Sequence, residues 1–453
     1  MGMKRLILAL CFGALAVGSA SAQLRLTLDD AIQMALSENP TIKVADLDVE
    51  RYDYVKKETR GNLLPSLSAS GDYTRAIEKS TMRGGISFGA DNTFTGTANL
   101  TVPLFAPAVY RTLKLNRSQI ASAVEAARAS RITLVAEVKK AFYNILLAEQ
   151  SLATLEESRA TIQRTVDDTK VKYEQGVASE YDYLTAQVEL SNLLPTITQT
   201  KNSIKVALLQ IKMYLSIPEE LSVELVGSLD EMKDIVLSGG ESLSTDVSQN
   251  SDLRALDIQA EMLRYQLKTT NAARIPTVAA FGSATISGND MEDFRKMVGG
   301  GEEAGTGEAV SDLNSSKYYW THPISVGVQI SIPIFSGLKN NYKARQVKNQ
   351  IEQLNLQRDY AHKQTTVAVE SAINNLLTAR ETMLAQAQTM AQADKAYQIS
   401  DTRFRAGAGT ILELNSAQLN RTQAHLNYSQ AIYDYLSAQA DYDQIVGKEV
   451  GGN

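Results

Sequence analysis

Histidine and cysteine are the side chains that most often act as nucleophiles, bases or metal ligands, and this chain of 453 residues has three histidines and one cysteine. His322, His362 and His425 lie far apart in the sequence and show no His-x-x-x-His spacing. The sequence also has no nucleophile elbow and no phosphate-binding glycine loop. We therefore expect no enzyme, no metal site and no cofactor.

The bulk composition narrows the class of protein further. The chain is 44% apolar and 21% charged, with 45 basic and 51 acidic residues and a net charge of −6. This balance argues against nucleic-acid binding and against intrinsic disorder. One domain per about 150 residues would suggest three domains, but only 9 prolines and 27 glycines are present to separate them. The scarcity of these residues favours long, uninterrupted helices.

Residues 1–22 have the layout of a cleavable secretory signal. Lys4 and Arg5 precede an apolar run, and small residues end it before Gln23, where the mature chain would begin. Cys11 lies in this segment, so the exported chain would contain no cysteine. No later apolar stretch reaches the roughly 20 residues of a membrane-spanning helix. The exported chain is therefore either soluble or crosses a membrane as strands.

An internal duplication is the strongest signal in the sequence. Three segments recur in the same order with matching residues. They are Asn39 to Pro65 and Asn250 to Pro276, Val102 to Phe105 and Ile332 to Phe335, and Tyr173 to Gln187 and Phe404 to Gln418. We expect a first repeat over 23–215, a polar collar over 216–250 and a second repeat over 251–453. An acidic loop over 288–317 corresponds to a shorter one over 77–92.

Each repeat predicts two strands of about ten residues, which is the length of a tilted strand that crosses a bilayer. The four strands are expected over 65–75, 94–104, 276–287 and 324–334. Apolar residues alternate with serine, threonine, asparagine and glutamine in these segments. Alternation alone fits a half-buried strand of a soluble sheet equally well, but uncharged polar side chains favour a water-filled lumen. Tyr318, Tyr319 and Trp320 at one strand end favour an aromatic girdle.

The remaining segments predict helices. Two very long helices are expected over 108–174 and 338–405, and each leads through a turn, at Gly176 or Gly407, into a return helix. The return helices are expected over 179–215 and 410–446, and shorter helices over 27–37, 41–61 and 252–274. Four prolines stand where helix and strand segments meet. They are Pro65, Pro103, Pro276 and Pro333.

In their order and duplication, these features resemble the TolC-type family of outer-membrane efflux proteins over nearly the whole mature chain. The matching features are the opening from Leu28 to Pro40, the Leu64-Pro65 and Ile275-Pro276 switches, the Pro103-Leu104-Phe105 and Pro333-Ile334-Phe335 segments, and the two glycine-containing tips. The resemblance implies a mixed α and β fold. Four strands per chain would contribute to a trimeric, twelve-stranded outer-membrane β-barrel, and the helices to a long antiparallel, coiled-coil-like α-helical barrel in the periplasm of a Gram-negative bacterium.

The resemblance also implies which residues lie at the periplasmic entrance, because the two tips form that entrance in the family. Asp182 matches a closing aspartate, and Glu413 matches the first of two entrance acids. A second explanation stays open for both residues. Each stands near the start of a return helix, where an acidic side chain caps the helix and interacts favourably with its dipole.

Three positions depart from the family pattern at the tips. Ser416 stands at the second entrance acid, Gly409 at the position of a locking arginine, and Phe404 at a tyrosine, so that no hydroxyl is available to donate. The closing links of the family therefore cannot form here in the same way. Arg403 and Arg405 are the candidates to substitute for them.

The implied function is passive conduction of cargo through a duct whose entrance opens by rearrangement of the tip helices. The resemblance implies a homotrimer in contact with outer-membrane lipid, a periplasmic adaptor protein and an inner-membrane transporter as partners. The alternative is a soluble periplasmic coiled-coil tether, which would explain the helices but not the four strands. The sequence leaves the cargo open among small toxic compounds, metal ions and polypeptides.

Overall fold

The computed structural model of the chain describes residues 24–81, 87–238, 243–290 and 318–449. The predicted signal over 1–22 and most of the predicted acidic loop over 288–317 lie outside the described residues. The helices are α1 (Leu28–Glu38), α2 (Pro40–Gly61), α3 (Pro107–Glu174), α4 (Glu180–Leu215), α5 (Leu229–Ser238), α6 (Ser251–Ala272), α7 (Lys339–Arg405) and α8 (Ile411–Val446). The strands are β1 (Leu24–Leu26), β2 (Ser66–Arg75), β3 (Ser80–Thr81), β4 (Ser87–Phe88), β5 (Asn92–Phe105), β6 (Val223–Leu225), β7 (Thr277–Asp290), β8 (Tyr318–Thr321) and β9 (Ile324–Ser331).

Two helices dominate the fold. Helices α3 and α7 have 68 and 67 residues, and at 1.5 Å per residue each is about 100 Å long. Their return helices, α4 and α8, both have 36 residues. This length explains the scarcity of proline and glycine, since either residue in a helix interior would weaken it. None of the described helices combines the length and the apolar character that a membrane span requires.

The strands form an antiparallel sheet in the order β2, β5, β7 and β9, and β8 also pairs with β7. Strand β7 continues to Asp290 because its last residues pair with β8. Strand β9 ends at Ser331, before the predicted end at 334, and Pro333 beyond it has no N–H to donate to a ladder. The sequence did not predict the short parallel pair of β1 and β6.

The register of the sheet separates its two faces by polarity, because directly paired residues of antiparallel strands point to the same face. The apolar pairs include Leu67 with Leu100, Ala98 with Ala284, and Val278 with Ile330. The polar pairs include Ser68 with Asn99, Thr97 with Thr285, and Ser283 with Ser325. The alternation that predicted four half-polar strands thus continues across the whole sheet.

The chain divides into two compact units. The first takes its described residues from 1–48, 124–255 and 358–453, and its apolar core includes the fully buried Phe142 and Ile145. The second takes its described residues from 49–123 and 256–357 and contains the sheet of β2, β5, β7, β8 and β9. Each unit draws on both halves of the sequence, so the compact units and the sequence repeats are different divisions of the chain.

A buried asparagine joins the beginning and the end of the first repeat. The Nδ2 of Asn39 donates to the backbone carbonyl of Tyr214 at 2.8 Å, and its Oδ1 accepts from the backbone N–H of Thr41 at 2.8 Å. The side chain therefore caps helix α2 and also binds the last turn of helix α4.

Asn250 makes the equivalent contacts in the second repeat. Its Nδ2 donates to the carbonyl of Ile445 at 2.8 Å, and its Oδ1 accepts from the N–H groups of Asp252 and Leu253 at 3.1 Å. The residue is buried, as Asn39 is. The two asparagines recognised as repeat equivalents thus fix the return helix of their own repeat.

The residues that end the return helices complete these junctions. Ser216 and Gly447 both have left-handed backbones, with φ of 55° and 77°. The Ser216 hydroxyl donates to the carbonyl of Glu38 at 3.2 Å. A Cβ atom at position 447 would lie 2.1 Å from the carbonyl oxygen of Gln249. This close approach requires glycine at the second junction but not at the first.

We predict that Asn39→Ala and Asn250→Ala each destabilise the protein by about 2 kcal/mol, because each removes a helix cap and leaves a partly buried carbonyl without its donor. The midpoint of thermal unfolding in detergent, followed by circular dichroism, should fall in both variants. Asn202→Ala, at an exposed position of α4, is the control and should leave the midpoint unchanged. An unchanged midpoint in both junction variants would contradict the role of the asparagines.

Candidate functional site

The two tips have the same turn geometry. We call α3 with α4 the first hairpin and α7 with α8 the second hairpin. Gly176 and Gly407 lie at their tips with φ of 75° and 73°. In the first hairpin the N–H of Val177 donates to the carbonyl of Lys172 at 2.8 Å, and in the second the N–H of Ala408 donates to the carbonyl of Arg403 at 2.8 Å. This hydrogen bond and the left-handed glycine form a Schellman motif, which ends each long helix.

Asp182 is engaged in a capping box at the start of helix α4. Its Oδ2 accepts from the hydroxyl of Ser179 at 2.7 Å and from the Ser179 N–H at 3.2 Å. In return, the N–H of Asp182 donates to the Ser179 hydroxyl at 3.1 Å. The capping explanation left open by the sequence therefore describes an observed contact of Asp182.

Glu413 has a different environment, although its N–H donates to the Thr410 hydroxyl at 3.2 Å, as that of Asp182 does to Ser179. The carboxylate of Glu413 lies 3.8 Å from the guanidinium of Arg403, across the turn of the second hairpin. Arg405 instead pairs with Asp401 of its own helix at 3.0 Å. Ser416, at the position of the second entrance acid, is exposed on α8. Of the two arginines considered as substitutes, Arg403 is the one that contacts an entrance residue.

Gly409 lies against two residues that the sequence singled out, whereas Phe404 contacts one that it did not. A Cβ atom at Gly409 would lie 3.2 Å from the backbone nitrogen of Phe404 and 3.3 Å from the Cβ of Arg403, so this turn is too tight to take an arginine without a shift. The ammonium group of Lys172 lies 4.5 Å from the centroid of the Phe404 ring. Lys172 belongs to the first hairpin and Phe404 to the second, so this cation–π contact links the two tips.

The four prolines lie close to the ends of strands. Pro65 and Pro276 immediately precede β2 and β7, and Pro333 follows β9. Pro103 lies inside β5, where the register with β7 shifts between residues 103 and 105. Proline is tolerated at such positions because the ladder does not need its missing N–H.

The polar face of the sheet carries serine, threonine and asparagine, with little charge. Asp72, which pairs with Thr95, is the acid of β2 on this face. Large side chains also lie on it, among them Phe281. Phe281 contacts Gly327 of the neighbouring strand, where a Cβ atom would approach the ring to 2.7 Å. The face therefore suits contact with water better than binding of one specific ion.

Aromatic residues gather at one end of the apolar face. The rings of Tyr73 and Phe94 are 4.8 Å apart, and those of Phe94 and Tyr318 are 5.5 Å apart. Trp320 covers Gly288, with which it is paired. Tyr319 pairs with Asn289 and so lies on the opposite face. The predicted aromatic cluster thus contains Tyr318 and Trp320, with Tyr73 and Phe94 as unpredicted members.

No metal site is found in the part of the chain that the structure describes, where no three histidine, cysteine, aspartate or glutamate side chains are grouped to hold an ion. His425 instead contacts the Oδ1 of Asp394 at 2.9 Å.

Comparison with known proteins adds three findings. A family model described as "Outer membrane efflux protein" matches residues 31–215 and 243–448. The chain is 21% identical over 447 residues to the outer membrane protein TolC of Escherichia coli K12. The alignment covers 98% of this chain and 87% of that protein. It is 22% identical over 446 residues to the alkaline protease secretion protein AprF of Pseudomonas aeruginosa, with coverage of 97% and 88%.

The fold is also similar to that of CusC, whose crystal structures are described as concerning folding and transmembrane channel formation. The TM-score is 0.72, the sequence identity is 17%, and 96% of each chain is covered. The two segments matched by the family model agree with the two sequence repeats. The mixed α and β fold class predicted from the sequence is confirmed.

We predict that Asp182→Asn and Asp182→Ala differ in stability, because asparagine keeps an oxygen that accepts from Ser179 whereas alanine does not. Asp182→Ala should cost about 1 kcal/mol and lower the thermal midpoint, and Asp182→Asn should stay close to the parent. Cation selectivity in planar bilayers should be unchanged in Asp182→Asn. A shift of selectivity in that variant would instead show that the charge of Asp182 acts on ions.

Proposed function

The chain belongs to the outer membrane efflux protein family, and we propose that it forms the outer-membrane channel of a tripartite efflux or type I secretion system. It conducts cargo passively from an inner-membrane transporter to the outside of a Gram-negative cell. The observation that carries this proposal is the sheet with one apolar face and one polar face that carries little charge. Such a sheet separates lipid from water, as a membrane-crossing strand requires.

Exposure of the apolar face argues against the alternative of a soluble tether. Ile324 and Val326 of strand β9 are 79% and 83% exposed. Side chains of this size in a continuous face would be unfavourable in water, whereas lipid is a suitable solvent for them. A water-soluble scaffold would need another element to cover this face.

The edges of the sheet support a homotrimer. Among the described residues, β2 pairs with β5 alone, and β9 with β7 alone. The N–H and C=O groups on the other side of each edge strand need partners, because the lipid interior offers none. Pairing of β2 of one copy with β9 of the next supplies them, and three copies with four strands each close the twelve-stranded barrel of the family.

Transport against a gradient needs energy, and this need indicates the partners of the channel. The sequence has no phosphate-binding loop, so the channel itself cannot use a nucleotide to drive transport. We propose an inner-membrane transporter and a periplasmic adaptor protein as the partners that supply energy and connect it to the tips. The protein is not an enzyme and needs no cofactor in this role. The cargo stays open among small compounds, metal ions and polypeptides.

The proposal predicts that the protein is recovered from the outer membrane as a detergent-stable trimer and conducts ions in planar bilayers. Val326→Lys, on the apolar face, should cost about 2 to 4 kcal/mol in lipid and reduce the amount of assembled trimer. The matched control, Gln329→Lys, lies on the polar face of the same strand and should assemble normally and shift selectivity toward anions. Recovery of the parent as a soluble monomer, or equal behaviour of both variants, would contradict the channel.

The contact of Lys172 with Phe404 takes the place of a tip link in this proposal. The family's tyrosine is replaced by Phe404 and its arginine by Gly409. The ring of Phe404 offers its π face to the Lys172 ammonium, and this attraction needs no hydroxyl. At exposed sites such a contact contributes about 0.5 to 1 kcal/mol.

Lys172→Gln and Phe404→Leu should each raise the open fraction of single channels about two- to fivefold, because each removes the same contact. The double variant should show little further increase. Lys170→Gln removes an equal charge from an exposed position of the same helix and is the control. Fully additive effects of the two substitutions would show that the residues act independently.

A further inference from the structure

The first and second hairpins are in contact through helices α3 and α8. These helices run antiparallel, because Thr133 of α3 lies beside Gln444 of α8 while Ser158 lies beside Thr422. Both of these contacts are hydrogen bonds between side chains, of 3.4 Å and 3.0 Å. The interface between the hairpins therefore extends over many turns of both helices.

The section of this interface between those two ends is built around an apolar core. Phe142 and Ile145 of α3 and Ile432 and Leu436 of α8 are fully buried members of one core cluster. We call this section the apolar zone. Separating it would expose large hydrocarbon side chains to water, which is strongly unfavourable.

Closer to the tips, three polar residues meet at the same interface. Ser158, Gln418 and Thr422 are all buried, and we call them the polar seam. The hydroxyl of Thr422 donates to that of Ser158 at 3.0 Å, and the Nε2 of Gln418 donates to the same oxygen at 3.2 Å. The Oε1 of Gln418 is buried without a hydrogen-bond partner. Water can take the place of each partner in the seam, so its separation costs much less than that of the apolar zone.

Arg421, beside the polar seam, binds one carboxylate in each hairpin, and the two ion pairs differ in strength. The Nε of Arg421 donates to the Oδ1 of Asp394 at 2.7 Å, within the second hairpin, and His425 contacts the same oxygen. The other side of the guanidinium donates to the Oε1 of Glu157 of the first hairpin at 2.9 Å. Burial alone would raise the pKa of Asp394, but the hydrogen bonds from His425 and Arg421 lower it, so the anchor within the second hairpin stays charged.

Glu157 is the weaker partner of Arg421. Its side chain is 61% exposed, whereas that of Asp394 is 32% exposed and has two donors. An exposed ion pair is easily replaced by water and salt. If the hairpins separate, Arg421 therefore stays with Asp394 and releases Glu157. The first hairpin near its tip is held by apolar packing of Ile162 and Val166 on Ala186, so it would move as one piece.

We propose that the polar seam and the Glu157–Arg421 pair form the section where the two hairpins part when the entrance opens, while the apolar zone stays packed and acts as the hinge. This inference rests on the proposed channel function. It locates the moving boundary within the chain, between residues 145 and 157 of α3, and names Arg421 as its positioning residue.

A seam made apolar tests this directly. In the triple variant Ser158→Ala, Gln418→Leu and Thr422→Val, the seam would resist water as the apolar zone does. We expect the open fraction in planar bilayers to fall roughly tenfold, with an unchanged or higher thermal midpoint. A mere loss of structural hydrogen bonds would instead lower the midpoint and raise the leak. An unchanged or raised open fraction in the folded variant would overturn the proposal.

A second pair of variants guards against misfolding of the triple variant. Glu157→Gln should raise the open fraction about two- to fivefold, because it weakens the pair that joins the hairpins at the seam. Lys140→Gln is the matched control. Lys140 pairs with Asp441 between the same two helices at 2.6 Å, but beside the apolar zone. Its substitution should leave the open fraction unchanged, and equal responses of the two variants would contradict a boundary between the zones.

Failure of this inference can be told apart from failure of the channel function. If the parent protein forms no conducting trimer, the proposed function is wrong. If the parent conducts but the seam variants and the Lys140→Gln control respond alike, the channel stands and the moving boundary lies elsewhere.

Discussion

The hydrogen bonds of Asn39 to Tyr214 and of Asn250 to Ile445 are the constraint on which the first compact unit depends. A hairpin built from a helix of 68 residues and a return helix of 36 ends far from its tip. Its last turn carries carbonyl groups without intrahelical partners. A buried asparagine satisfies one of them and at the same time caps a helix at the beginning of the same repeat, so each repeat closes on itself. The chemistry is the same in both repeats, which explains why this residue recurs.

Polarity is distributed according to what each surface must do. The sheet presents hydrocarbon on one face and mostly uncharged hydrogen-bonding groups on the other, which suits a wall between lipid and water. In the first compact unit, the interface between the hairpins is likewise divided into the apolar zone around Phe142 and the polar seam at Ser158. Apolar contacts hold elements together permanently, whereas hydrogen bonds can be exchanged for bonds to water at little cost.

The candidate site was only partly predictable from the sequence. Both tip glycines and the acidic residue of the α4 capping box follow local rules, and the structure shows their geometry directly. The sequence alone shows that Phe404 and Gly409 stand where the family has a tyrosine and an arginine. It does not show the contact of Lys172 with Phe404, because nothing near Lys172 in the sequence indicates its partner. Likewise, Arg421 carries no motif, and its importance comes from carboxylates on two other helices.

The sequence by itself determined the elements whose formation depends on neighbouring residues. These include the long helices without breakers, the turns at the two tips and the alternation of the strands. Only the tertiary structure decided how elements distant in sequence meet. Examples are the pairing of β5 with β7 across the repeats and the division of the α3–α8 interface into apolar and polar sections. Helix and strand propensities depend on a few neighbouring residues. The strand that pairs with β5, or the ring that Lys172 contacts, is instead determined by the packing of the whole chain.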